Sequence, residues 1–489
     1  MPIWLMAVIL YIAHLVGLLV VAVGGSKKPA PTLTWLTFCL VLPFLGLVVY
    51  LLLTRKVHRR SSLPWELPSY EGRADRLPRT LHMELVTQSL SAAAIARGIT
   101  RFSSPPVQAN LQAYNAGEPF YQDLVKSIQD AQSSIDIEFY IFRYDEVGKA
   151  VVEALLERLD AGVEVRFLLD GFGSRKFPQD VIAQLDAAGA QCRMFFPIGF
   201  PFLTPSVNHR DHCKIVVIDK TTAFTGGMNV GREYAGRDPS YGPWRDTHVK
   251  IEAKVPLPLA DLFEANFELG TPRTVHPQPR PVHRRTVSNL PDKSTRKDEP
   301  EVDATNYSRG LIQFLQSGPD TPRQNLRELY FLCLTQATRQ VDITTPYFLP
   351  ESDLLMGLYT AVARGVRVRL LLPERVDHRM IGFACQTYFP SLLYAGVEIY
   401  LHRPGVLHAK VMTVDDDLAV VGAANYDLRS FHLNYEVAMV QYGHSFVEEL
   451  RHHFNMDLEV SRRLEIHQLH PSLVHRVKHN AARLLAPLM

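Results

Sequence analysis

Two stretches of the chain carry the same arrangement of ionisable side chains, "HCKIVVID" from His212 to Asp219 and "HAKVMTVD" from His408 to Asp415. In each, a histidine and a lysine stand two positions apart at the mouth of an apolar run that closes on an aspartate: His212, Lys214 and Asp219 in the first copy, His408, Lys410 and Asp415 in the second. Side chains alternate across a strand, so each histidine shares a face with its lysine. If the copies pack about a pseudo-two-fold axis, two imidazoles and two ammonium groups converge, which is the set a phosphodiester needs. One imidazole attacks phosphorus to give a phosphohistidine and the other protonates the departing oxygen. The lysines, as point charges, stabilise the anionic oxygens of the five-coordinate transition state. This chemistry calls for no metal and no cofactor.

At the same offset past each motif, a glycine-containing turn presents an asparagine, Asn229 in "GGMN" and Asn425 in "GAAN", whose amide can donate to phosphate oxygens. A histidine base also needs a carboxylate to fix its tautomer and stabilise its cation. Asp246 in "WRDTHV" and Glu436 in "LNYEV" are the candidates, each on an apolar strand where a lone charge is costly; the sequence does not say which serves which histidine. Asp219 and Asp415 are counted with the catalytic set of the motif, although they stand at strand ends, where holding local turns is the plainer role. A single H-x-K-x4-D occurs by chance in on the order of a few per cent of chains of this length; two copies with matched asparagines do not. His209, His378 and His402 lack such support and read as loop or surface groups.

The elements that position these residues form a repeated α/β pattern. "SSIDIEFYIF", "GKAVVEALLERLDAG" and "VEVRFLLDG" read as strand, helix and strand, and "RQVDITTPYFL", "DLLMGLYTAVARG" and "VRVRLLLPE" repeat the order. Gly162 and Gly365 close corresponding helices, and Asp136 and Asp342 occupy corresponding first strands. The fold class is α/β: two pseudo-symmetric α/β/α halves forming one catalytic body behind a two-helix transmembrane hairpin. The expected boundaries are 1–60 for the hairpin, 61–118 for a connecting segment, 119–270 for the first half, 271–310 for a linker and 311–489 for the second half. The linker is rich in proline and mixed charge and reads as exposed, with a basic cluster at Arg280, His283, Arg284 and Arg285. Near the C-terminus, Val474, Val477, Ala481 and Leu485 can form an apolar stripe beside Arg476, Lys478, His479 and Arg483. Packing against the body is the plainer reading of that stripe, and membrane contact the other.

With 489 residues, 47% of them hydrophobic, the chain can bury a sizeable core. A net charge of +2 is too weak for a dedicated nucleic-acid binder, so an anionic partner must be met locally. The five cysteines (Cys39, Cys192, Cys213, Cys333 and Cys385) are scattered without a C-x-x-C pair and read as reduced, buried thiols rather than disulfides or a zinc site. Ile3 to Val23 and Leu33 to Leu53 are free of charge, each about the ~20 residues that cross a bilayer. Arg55, Lys56, Arg59 and Arg60 follow the second span, against Lys27 and Lys28 between the spans, which places both ends of the hairpin in the cytoplasm.

The paired motifs resemble the duplicated H-K-D signature of the phospholipase D superfamily. The hairpin, "GGMN", "GAANYDLRSFHLNYEV" and the closing "RLLAPLM" are similar to bacterial cardiolipin synthases of the two-span type, over nearly the whole chain. The resemblance implies a plasma-membrane enzyme that captures one phosphatidylglycerol as a phosphatidyl-enzyme, releases glycerol, and transfers the group to a second. It makes His212 the nucleophile and His408 the acid/base, a choice that the symmetry of the motifs leaves open. The superfamily often has serine after the glycine of the asparagine turn; Gly227 and Ala423 stand there instead, so no hydroxyl assists the phosphate. The same residues would serve a hydrolase using water. A nuclease lacks a basic, aromatic binding strip here, and a headgroup-binding protein without turnover would not need both motifs intact.

Overall fold

In the computed structural model, the described residues are 2–24, 29–53, 63, 85–86, 89–197, 208–272, 308–321, 323–376, 378–469, 478 and 482. Most of the linker, its basic cluster and the hydrophobic residues named in the C-terminal stripe lie outside them. Of that C-terminal segment, Lys478 is exposed and Ala482 is buried in the core of the second half.

Each half is built on a strand–helix–strand unit of the kind the periodicity predicts. Ser134–Phe139 pairs in parallel with Glu164–Asp170, which pairs in parallel with Gln191–Phe195. Gln340–Thr344, Arg367–Pro373 and Glu398–His402 repeat this. The helix between the first two strands, Glu146–Asp160, starts where the Asp145 carboxylate accepts the N–H groups of Val147 and Gly148, satisfying donors that a helix start leaves open. Gly162 and Gly365, both at φ +86°, end the corresponding helices in a conformation that disfavours a side chain. Asp136 and Asp342, the carboxylates of the first strands, grip the neighbouring strand through two-point pairs with Arg166 and Arg369. Each has oxygens 2.6 and 2.8 Å from the guanidinium.

The motif strands lie beside these units. Lys214–Ile218 runs antiparallel to Ser134–Phe139, and Val411–Val414 antiparallel to Gln340–Thr344. Each is followed by hairpin partners, Thr222–Gly226 then His248–Ala253 in the first half, Leu418–Gly422 then Asn434–Tyr442 in the second. The halves join edge to edge where Val107–Tyr114 pairs antiparallel with Ser308–Ser317. The strand order outward from this seam is the same on both sides. Val107–Tyr114 lies inside the stretch read as a connector, and so does the helix Leu90–Ile99, which packs on Asn325–Gln336 of the second half.

The strands are buried on both faces, which is why they read as nearly continuous apolar runs. A core shared by the halves includes Ile215, Val249, Phe314, Val421 and Met439 under the helices Leu259–Leu269 and His444–Glu459. Separate cores lie on the opposite faces. All five cysteines are buried and none forms a disulfide.

The N-terminal hairpin departs from expectation in its second arm. The first arm, Ile3–Gly24, is one helix of 22 residues whose stretch Trp4–Val23 is long and apolar enough to cross a bilayer. The second is broken into Pro29–Val41 and Leu45–Leu53 by a turn with Phe44 at φ +64°. Pro43 lacks an N–H and cannot continue a helix ladder, so neither piece of 13 or 9 residues is a span of full length. The arms nonetheless pack together, burying Val21, Cys39 and Tyr50.

Candidate active site

A cavity of about 520 Å³ is lined by His212, His408, Asn229 and Asn425, so the fold brings both motifs and both asparagine turns to one place. A larger cavity of about 670 Å³ lies beside the Asp136–Arg166 pair, and no motif histidine lines it.

The orienting carboxylates cross over between the halves. Glu436, from the second half, sits with its oxygens 2.9 and 3.0 Å from His212 Nδ1 of the first. Asp246, from the first half, has Oδ2 2.7 Å from His408 Nδ1 of the second. The sheet makes this exchange: Arg210–Asp211 runs parallel to Asn434–Tyr435, and Trp244–Arg245 parallel to Val406–Leu407. Each histidine is thereby held by the strand that carries the other half's carboxylate. With Nδ1 given to the carboxylate in both rings, the chemistry falls to Nε2. Lys410 Nζ also lies 2.7 Å from His408 Nδ1; a nitrogen that donates to Asp246 cannot accept from an ammonium as well, and the ionic bond to the carboxylate is the stronger.

The two pairs are electrostatically unlike. Burial above all, reinforced by Lys214, Lys410, His408 and Arg429, pushes His212 well below its ordinary range, so its imidazole is neutral. Burial pushes its partner Glu436 up to about 7 against the opposing pull of Lys214. Asp246 is buried as deeply, yet Lys410 and His408 outweigh that burial and hold its carboxyl below the usual range. His212 is thus a neutral imidazole facing a carboxyl near its titration point, and His408 faces a fixed anion.

The lysines belong to the same centre. Lys214 is fully buried, its ammonium 2.6 Å from His212 O and 5.5 Å from the centre of the Tyr140 ring; Lys410 donates to His408 O. Burial lowers the Lys214 ammonium pKa. Asn229 Oδ1 accepts the Ile141 N–H at 3.1 Å, which leaves its NH2 as the donor. Asn425 is set by its own N–H, which donates to Ser430 Oγ at 3.1 Å.

Asp219 and Asp415 do not join the cavity. They stand past the far ends of strands whose other ends carry the lysines. Asp219 accepts the N–H groups of Gln132, Ser133 and Ser134, and Asp415 those of Thr338, Arg339 and Gln340. Those donors hold both carboxyls below their usual range against burial. The carboxylates pin the turns that lead into Ser134–Phe139 and Gln340–Thr344.

Gly227 is explained by its neighbour: a Cβ there would lie 2.0 Å from Asp246 Oδ1. The missing Cβ leaves room for the carboxylate that holds His408.

Several residues at the site were not legible in the sequence. Tyr140 and Trp244 stand against His212 and His408 with ring centres 5.0 and 5.5 Å away. Arg210 and Arg429 line the cavity, as does His378; His209 and His402 are buried rather than surface groups. Behind His212, Glu138, Asp211 and Cys213 bring potential metal-ligand atoms within 4.8 Å of one another, a cluster invisible in the spacing because two strands contribute to it. Burial drives all three towards their protonated forms. Asn266 donates to Glu138 at 2.7 Å.

Comparison with known proteins identifies the family of the chain. The family described as "Cardiolipin synthase, PLD-like domain" matches residues 124–268 and 330–458. "Cardiolipin synthase 2" of Bacillus anthracis is 33% identical over 95% of this chain and 88% of its own length. The "Cardiolipin synthase" of Geobacillus kaustophilus is 33% identical over 95% and 90%. The crystal structure of phosphatidylserine synthase from Haemophilus influenzae superposes with a TM-score of 0.58 over 82% of this chain and 100% of that one; at 15% identity it speaks for the fold alone. The chain belongs to the cardiolipin synthases, phosphatidyltransferases of the phospholipase D superfamily.

Proposed function

We propose that the protein joins two phosphatidylglycerol molecules into cardiolipin and glycerol, with His212 as nucleophile and His408 as acid and base. The observation that carries the assignment is the difference between the two crossed pairs. A nucleophile must be neutral, and His212 is held so; Glu436, near its titration point, can take the Nδ1 proton as the ring gains charge on phosphorylation. The fixed anion of Asp246 favours a protonated His408.

In the first step His212 Nε2 bonds to phosphorus, the bond to the glycerol headgroup oxygen breaks, and His408 supplies that oxygen's proton. In the second, His408 takes the proton from the headgroup hydroxyl of another phosphatidylglycerol. The resulting oxygen bonds to phosphorus, the P–N bond breaks, and His212 returns neutral. Lys214, Lys410, Asn229 and Asn425 stabilise the phosphoryl oxygens in both steps.

The N-terminal arms are read as a membrane hairpin with the catalytic body on the cytoplasmic side, supported by the apolar length of Trp4–Val23 and the cations after residue 54. Tethering makes the encounter with lipid nearly intramolecular.

Purified protein incubated with phosphatidylglycerol vesicles should yield cardiolipin and glycerol. Phosphatidic acid as the main product would make the protein a hydrolase instead. A chain beginning at Ser61 should retain transfer in detergent micelles and lose most of it on vesicles; equal rates on vesicles would discard the tethering role.

A further inference from the structure

The cavity is lined by two cationic side chains beyond those assigned to the donor phosphodiester, with Asp427 also in its wall and Asp170 beside Arg210. The donor phosphate is a monoanion already served by two imidazoles, two ammonium groups and two amides. Two guanidinium groups stand in the same cavity beyond these. Arg210 lies on the strand Arg210–Asp211, two residues before the nucleophile, and is buried. Its Nη1 is 3.8 Å from Asp170 and 3.5 Å from Phe196 O, and its guanidinium lies over the Phe172 ring at 5.4 Å. Arg429 comes from the other half, on the short helix Leu428–His432, and donates to Asn208 Oδ1 and O at 3.1 and 3.0 Å.

Like charges in a sheltered place repel, and Asp170 offsets this only in part for Arg210. Burial pulls the Arg210 guanidinium below its ordinary range against the opposing pull of Asp170, and the Arg429 charge adds to the lowering. Guanidinium groups present planar donor forks that match phosphate oxygens. Water, the acceptor in a hydrolase, brings no second anion. An acceptor phosphatidylglycerol does: its own phosphodiester is separated from the attacking hydroxyl by the three carbons of one glycerol, so it must sit in the same cavity as the reacting phosphorus.

We propose that Arg210 and Arg429 form an anion subsite that holds the phosphodiester of the acceptor lipid while its hydroxyl attacks the phosphatidyl group on His212. The subsite rests on the transfer reaction proposed above and explains why an anionic lipid alcohol is selected over water and neutral alcohols. One arginine comes from each half, so the acceptor lies across the junction, as the donor does.

The test is an acceptor competition. Full-length protein in mixed micelles of phosphatidylglycerol and detergent, with 1-butanol present, forms both cardiolipin and phosphatidylbutanol, and the ratio of the products reports acceptor choice independently of donor capture. Arg429→Gln should lower the cardiolipin-to-phosphatidylbutanol ratio by about 10–100-fold, the worth of a lost hydrogen bond between charged groups. Arg429→Lys, which keeps the charge, should recover much of the ratio, and Arg210→Lys should shift it less than Arg429→Gln. An unchanged ratio in Arg429→Gln, or Arg429→Lys behaving as the glutamine variant does, overturns the subsite and leaves the synthase reading standing. A wild-type protein that makes phosphatidylbutanol and no cardiolipin overturns both.

Discussion

His408 Nδ1 lies 2.7 Å from Asp246 Oδ2, although 162 positions separate the two residues and they belong to different halves of the chain. The reciprocal pair, His212 and Glu436, is 224 positions apart. Neither half contains a complete histidine–carboxylate pair; each pair is completed only across the junction.

The roles of the two histidines separate with a good leaving group. His212→Ala should abolish transfer from phosphatidylglycerol and from a phosphatidyl ester of p-nitrophenol alike. His408→Ala should lose about 10²–10⁴-fold with phosphatidylglycerol; with the nitrophenyl ester, whose oxygen needs no proton, it should recover the first burst of nitrophenol release while transfer to the second alcohol stays slow. Release of nitrophenol at a rate near wild type by His212→Ala would exchange the assignments.

Gly227→Ser restores the residue common in the superfamily and should harm this enzyme. The new Cβ meets Asp246 Oδ1 at 2.0 Å, so the carboxylate must move away from His408. A fall in kcat of about 10²-fold or more, with a folded protein by circular dichroism, is expected. Activity near that of wild type would show that Asp246 can shift without consequence.

Glu436 ties activity and stability to pH in opposite directions. Its carboxyl titrates at about 7 in the folded protein and near ~4.3 in an unfolded chain. The folded state therefore holds the proton more tightly, and the associated stability, complete below about pH 4, is lost as pH rises through 7. Ionised Glu436 supports the cationic phosphoimidazole, so kcat should rise between about pH 6 and 8. Glu436→Gln should flatten that rise, lower the rate, and unfold at a higher denaturant concentration relative to wild type at pH 8 than at pH 5. A pH profile unchanged by this variant would place the titration elsewhere.

Asp219→Ala removes an acceptor shared by three backbone N–H groups. Denaturant melts should register a loss of about 1–3 kcal/mol, while the folded variant keeps kcat within a few-fold. A selective collapse of kcat with unchanged stability would return this aspartate to the chemistry.

Cardiolipin formation should persist after exhaustive treatment with EDTA, because the oxygens are stabilised by lysine and asparagine. Loss that one particular divalent ion restores would direct attention to Glu138, Asp211 and Cys213.

The duplicated motif, the asparagine turns, the strand–helix–strand units and the glycines that end their helices were legible in the sequence because each is a local pattern. Side-chain alternation and helical period act over a few residues, and equal offsets in two halves reveal a repeat without any knowledge of how it folds. The break in the second N-terminal arm was also marked, by Pro43 inside Leu33–Leu53; an apolar count alone overlooks it. What only the tertiary structure decided is who meets whom. The exchange of Asp246 and Glu436 between the histidines, the burial that separates a neutral His212 from a His408 facing an anion, the gathering of Arg210 with Arg429, and the seam at Val107–Tyr114 all depend on which strands become neighbours. Strand order is set by the packing of whole apolar faces over hundreds of residues. The motif therefore names the proposed reacting groups, and their charges and partners follow from the pairing of the two halves.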